Sequence, residues 1–156
     1  TSLEDLRGKT VATNKGNLFD RWISGQAEDY NITVARFDKH SDAAQAVATG
    51  QADAAIMYSA SAGQLSQTQP IFKPSSFYVD QKAYFGYAFN KDDVALRDRV
   101  DEALECLKSK GVITAIFKKW TGIDPVPNGM TVTPVAGHGP EGLTGYDATP
   151  HEMTCK

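Results

Sequence analysis

The chain lacks any apolar run approaching the roughly 18 residues of a membrane span, so no segment of it reads as a bilayer-crossing helix. It also lacks an excess of cations: 16 Lys and Arg stand against 19 Asp and Glu, for a net charge of -3. Without a basic field to displace phosphate counterions, a nucleic-acid partner is excluded from the expectations. Cysteine is scarce, with only Cys106 and Cys155, and no closely spaced Cys or Cys/His quartet offers a zinc site. One pair permits one disulfide or two plain thiols. There is no Gly-x-Ser-x-Gly elbow, no zinc signature and no pair of carboxylates on an evident cleft, so no catalytic residue, metal or cofactor is assigned. The start, Thr1-Ser2-Leu3, has neither an initiator Met nor a basic-then-apolar leader, which suggests a mature, trimmed or excised chain.

What is present is a body followed by a tail. Five of the seven prolines (Pro125, Pro127, Pro134, Pro140 and Pro150) lie beyond Gly122, interspersed with five glycines. Such a stretch cannot sustain a helix, and residues 123–156 are expected to form an irregular, extended tail wrapping over the body. Within the body, Thr10 to Thr13 reads as a short buried strand. Asn17 then stands at an N-cap before Leu18, Phe19, Trp22 and Ile23, whose spacing makes one apolar helical face that Gly25 should end. Ile32 to Phe37 alternates apolar and polar residues as a strand does. Ser41 or Asp42 should cap a helix stopped by Gly50, and Asp53 to Tyr58 reads as a further strand before a small-residue helix running to about Gln67. This β-α-β repetition predicts an α/β fold with a mainly parallel sheet and helices on both faces.

Two more strands are expected near residues 76–79 and 83–89. The aromatics Phe72, Phe77, Tyr78, Tyr84, Phe85, Tyr87 and Phe89 serve there as sheet core, or alternatively as a cleft wall or docking face. A long helix follows from Val94 to Lys110, with a charged face that reads as solvated, and then a shorter one from Val112 to Trp120, closed by Gly122.

Three stretches carry a family resemblance: Leu3-Glu4-Asp5-Leu6-Arg7-Gly8-Lys9-Thr10-Val11-Ala12; Ala52-Asp53-Ala54-Ala55-Ile56; and Tyr84-Phe85-Gly86-Tyr87-Ala88-Phe89 with Leu96-Arg97, Gly111 and Ile116-Phe117-Lys118-Lys119-Trp120. Together, over roughly residues 3–122, they resemble the type-2 periplasmic solute-binding proteins, family 3, of the amino-acid ABC-importer type. The resemblance implies a three-layer βαβ lobe at residues 1–82, matching the family's second lobe. Residues 83–122 are similar to the C-terminal part of the first lobe, and the tail at 123–156 lies outside the pattern. The family's N-terminal half-lobe, with its carboxylate-gripping Arg and sandwiching aromatics, has no counterpart in the sequence. It is expected to have been cut away or to be another chain, or else the protein functions with one lobe; that half-lobe or a second copy is a candidate partner.

Two places emerge as candidate sites. In Asn14-Lys15-Gly16-Asn17-Leu18, amides at a helix N-terminus make a ready anion site, to which Lys15 or Asn14 adds a donor. The same residues also read as a plain capped βα turn, and one glycine does not make a nucleotide loop. Met57-Tyr58-Ser59 falls at the carboxyl end of a strand, where open α/β sheets collect ligands. By resemblance, amino-acid binders place an Asp at the position of Tyr58 to hold the α-ammonium. A neutral Tyr there favours an uncharged, aromatic-stacking or atypical ligand. Ser59 otherwise reads as a helix cap. His151 and Cys155 would share a metal only on a helix, which Pro150 disfavours. A Cys106–Cys155 disulfide pinning the tail suits the periplasmic location that the resemblance implies, with a buried thiol at Cys106 as the alternative.

The resemblance thus implies a non-catalytic extracytoplasmic protein that recognises a small polar or anionic solute for an ABC transporter permease. The alternative is an accessory that docks on another periplasmic protein without transporting a solute. A dehydratase-type lyase on the same scaffold is the enzymatic outsider.

Overall fold

The computed structural model describes residues 2–79, 85–135, 137–139, 141–142, 144–151, 153 and 155. The chain forms two compact units, Thr1–Lys82 and Ala83–Lys156.

The first unit is built on three strands, β1 (Thr10–Asn14), β2 (Thr33–Phe37) and β3 (Ala54–Ala55), in the order β2-β1-β3. Both pairings are parallel, with Val11 opposite Val34 and Ala54. Because alternate side chains leave opposite faces of a strand, Val11 and Ala12 address different layers. Val11 packs with Ile23 of α1 (Leu18–Gln26) and with Ile32. Ala12 packs with Ala43 and Ala46 of α2 (His40–Ala48) and with Ala52. The helices therefore cover both faces, giving the three-layer arrangement expected of the β-α-β pattern. A further helix, α3 (Ser59–Thr68), follows β3.

Several boundaries differ from the sequence expectation. Gly25 lies inside α1, which ends at Gln26. The reversal is made instead by Asn31 in the left-handed region (φ 51°), with Ile32 donating back to the Ala27 carbonyl. A single helical glycine costs about 1 kcal/mol, too little to stop a helix whose buried face is in place. Neither Ser41 nor Asp42 caps α2, whose N-cap is Lys39 without a side-chain bond. The segment expected as a strand from Asp53 to Tyr58 is reduced to two residues, although Asp53 donates to the Thr10 carbonyl and Ile56 to that of Ala12. Asp53 also accepts the Thr10 amide at 2.8 Å, and this bond holds its carboxyl below the ordinary value.

No strand forms at 76–79 or at 85–89, and Ala83 and Tyr84 lie outside the described residues. The expected sheet core of aromatics is largely out in solvent: Phe85 is 86% and Tyr87 73% exposed. Phe77 instead meets Trp22 at 6.5 Å. A strand needs a ladder partner, and among the described residues no ladder pairs residues 76–79 or 85–89.

In the second unit α4 (Val94–Ser109) and α5 (Val112–Thr121) form a helical hairpin through Gly111, and Gly122 closes α5 in the left-handed conformation (φ 69°). Asp93 caps α4, accepting from the Leu96 amide. Cys106 and Cys155 are joined as a disulfide, with Cα atoms 5.5 Å apart, so Cys106 is not a free thiol and Cys155 is not available to a metal. The tail covers part of the α4 face that its charges mark as solvated. Glu105 is buried, accepts the Val135 amide at 3.0 Å and has His151 Nε2 3.0 Å from its other oxygen. His138 Nδ1 lies 3.0 Å from Asp101, and its ring stacks on His151 at 4.4 Å. Among the described residues, the fully buried hydrophobic side chains all belong to the first unit. In the second, Val112, Ile116 and Trp120 of α5 stay exposed, at spacings of four that place them on one stripe.

Candidate functional site

Three parallel strands discharge their connections at one edge of the sheet. The carboxyl edge of the first unit therefore gathers residues 15–17 after β1, 38–39 after β2 and 56–58 after β3. Both sequence-derived candidate stretches belong to this edge.

Asn14, the last residue of β1, uses its side-chain amide to donate to the carbonyls of Phe37 (3.2 Å) and Asp38 (2.7 Å). It ties two of the loops together, and its remaining polar atom is an acceptor. The backbone amide of Lys15 donates to Phe37, while its side chain is exposed. Gly16 adopts φ +74°, a left-handed turn that a side chain would strain. Its amide does not face outward for a ligand; it donates to Asp20 Oδ2 at 2.8 Å. Asn17 caps α1 as expected, accepting from the Asp20 amide at 2.9 Å. This leaves the amides of Leu18 and Phe19 as the first-turn donors of α1.

Asp20 was not legible as a site residue, yet it organises the loop. It is buried, accepts from Gly16, pairs with Arg36 at 2.8 Å and receives the Ser24 hydroxyl at 3.2 Å. The Gly16 bond holds its carboxyl below the ordinary range against the opposing effect of burial, with Arg36 and Ser24 adding to the shift. Two buried polar atoms beside this arrangement, Thr13 Oγ1 and Asn17 Nδ2, have no hydrogen-bond partner.

Tyr58 is the N-cap of α3, and Ser59 is its first residue rather than its cap. The Tyr58 ring meets Phe19 edge-on at 4.7 Å and His40 at 6.0 Å. The structure thus links the two candidate stretches through Phe19, next to Leu18, and adds His40, whose role has no local sequence signal. Met57 and Ser59 are half-buried beside Tyr58. The assembled edge offers amide donors, one unpartnered carboxamide nitrogen and an aromatic corner, which are groups for holding a ligand rather than transforming one. Among the described residues, no group of three His, Cys, Asp or Glu side chains converges on a metal position.

Comparison with known proteins bears on this arrangement. The profile of the bacterial extracellular solute-binding proteins, family 3, matches residues 26–123. The amino-acid ABC transporter-binding protein PatH of Vibrio harveyi, itself a putative assignment, is 31% identical over 125 residues, covering 78% of this chain and 49% of PatH. The glutamine-binding protein GlnH of Bacillus subtilis is 31% identical over 130 residues, 80% of this chain and 45% of its own. Among solved structures, a mutant of ArgBP from T. maritima superposes with a TM-score of 0.57 at 34% identity, over 79% of this chain and 52% of that one. The chain spans about half the length of the curated relatives it matches. The parallel three-layer lobe, the edge at which its loops meet and the profile match over most of the body agree: the chain belongs to the bacterial extracellular solute-binding proteins, family 3.

Proposed function

We propose that this chain recognises a small polar or anionic solute outside the cytoplasm, in the periplasm, and presents it to the permease of an ABC importer. The observation that carries this reading is the first turn of α1. The amides of Leu18 and Phe19 and the unpartnered Nδ2 of Asn17 supply donors at the carboxyl edge of a parallel sheet, with the helix dipole behind them. Met57, Tyr58 and Ser59 form the opposite side of the same site, with Lys15 supplying an exposed cation at its rim. Relatives are named for arginine, glutamine and L-cystine binding, so amino acids head the solute panel. Tyr58 offers an aromatic face and a hydroxyl rather than a counter-charge, which favours solutes with a planar or uncharged group there.

A complementary lobe segment packs on the second unit. The exposed stripe Val112, Ile116 and Trp120 on α5 supports this, as does the absence of fully buried large apolar side chains among the described residues of the second unit. Calorimetry and thermal shift against amino acids, organic acids and sugars test the proposal, on this chain alone and with a complementary half-lobe segment supplied. A cognate solute raises the melting temperature by ordinary linkage. Silence across the panel in both forms overturns it.

A further inference from the structure

The tail, outside the matched family region, is joined to α4 by a disulfide that borders an open groove. Cys155 is exposed and Cys106 half-buried. Both line a depression of about 370 Å³ with Arg99, Glu102, Ala103, Leu107 and Lys110. Among the described lining residues, two cations against one carboxylate give the groove a positive balance beside the sulfur–sulfur bond, and Ala103 and Leu107 give it an apolar floor.

We propose that this groove is a thiol-exchange site, at which an anionic dithiol reductant opens Cys106–Cys155 and unties the tail from α4. The thiolate of the reductant attacks Sγ of Cys155, the more exposed residue of the pair, and the sulfur–sulfur bond breaks with its electron pair going to Cys106. Arg99 and Lys110 favour both the approach of the anion and the departing Cys106 thiolate. The second thiol of the reductant then attacks its own sulfur in the mixed disulfide and expels Cys155. The reductant leaves as a disulfide, having supplied two electrons, and its two protons end on Cys106 and Cys155.

Opening the bond changes more than the two sulfurs. The cross-link spans 49 residues of sequence and holds the tail where Val135 and His151 cover Glu105 and His138 meets Asp101. Its loss leaves these contacts to hold the tail alone, so reduction gives water intermittent access to a buried carboxylate on α4. The site is thus a redox-controlled strap.

The test is the rate at which the native, oxidised chain is reduced, followed by alkylation and intact mass. Glutathione, an anionic monothiol, and cysteamine, a cationic one, report the first exchange, a second molecule of each releasing Cys155, and are compared at equal thiolate concentration. The expected result is a preference for glutathione of roughly threefold or more, diminished by high salt. Arg99→Gln/Lys110→Gln should abolish that preference without changing the far-ultraviolet spectrum. Limited proteolysis of the reduced, alkylated chain should cut within residues 123–156 faster than in the oxidised chain. Reduction that requires denaturant overturns the proposal, as does a rate indifferent to the charge of the thiol in the wild-type chain. A reduced tail as protease-resistant as the oxidised one overturns the strap.

Discussion

The amide of Gly16 and the carboxylate of Asp20 meet at 2.8 Å across the first turn of α1. The donor that the sequence offered to a ligand is thus engaged internally, and the loop that presents the remaining amides is held in shape by a buried charge. Asp20→Asn weakens this bond and the pairing with Arg36, and the expected cost is about 1–3 kcal/mol, since hydrogen bonds to charged groups are the stronger kind. The Asp20 carboxyl is depressed below 3.8 in the folded chain. Its contribution is therefore complete above that ordinary value and is lost as the pH falls through the depressed one. Urea unfolding at neutral pH and at about pH 2 should show the gap between wild type and variant closing in acid. A gap of equal size at both values contradicts the assignment.

Asn17 has two functions that one substitution separates. Its Oδ1 caps α1, while its Nδ2 is buried without a partner at the proposed solute site. Asn17→Asp keeps the cap and replaces the donor by an anion. The helix should hold its stability to within about 0.5 kcal/mol, whereas affinity for an anionic solute should fall at least tenfold. Asn17→Ala should cost about 1 kcal/mol in stability through the lost cap. Chemical denaturation and calorimetry on the same samples read the two effects separately. If Asn17→Asp binds the solute as wild type does, the loop is only a capped turn.

Much of this fold was visible in the sequence because its determinants are local. Thr10 to Thr13 and Ile32 to Phe37 alternate or run apolar over a few residues, and Asn17 stands just where the helical period begins. The parts that were not visible depend on distant partners. Asp20 reads as an ordinary helix residue until Arg36 arrives from β2. Glu105 sits on the charged side of an amphipathic helix, and only a residue 30 positions away, Val135, converts that side into an interior. Aromatics at 76–79 and 85–89 have strand propensity, yet propensity does not supply a ladder neighbour. His40 joins Tyr58 through two separate strand connections, a proximity that no periodicity encodes.

Trp120 ends the exposed stripe of α5, at 64% exposure. Trp120→Ser should leave the isolated chain within about 0.5 kcal/mol of wild type, as surface substitutions do. Binding to a supplied complementary lobe segment should weaken by about tenfold or more, because exposed aromatics that become buried carry much of an interface's energy. Sedimentation of the mixed chains measures this. Unchanged association would locate the contact elsewhere on the second unit.

His151 and Glu105 set a sharper trial of the tail contacts. Glu105 is 1% exposed, with one oxygen accepting from Val135 and the other 3.0 Å from His151 Nε2. His151→Leu leaves that second oxygen facing an apolar group, a change expected to cost about 1–3 kcal/mol. Glu105→Gln keeps an acceptor for the Val135 amide and should cost less. Glu105→Met/His151→Leu removes both polar groups, and a well-packed apolar pair often replaces a buried polar one with little loss. It still leaves the Val135 amide without its acceptor, so the double variant should recover most, not all, of what His151→Leu loses. Guanidinium unfolding of the oxidised wild type, His151→Leu, Glu105→Met and the double variant, monitored by tryptophan emission, supplies the cycle. Additive losses would mean that His151 and Glu105 are neighbours without energetic coupling.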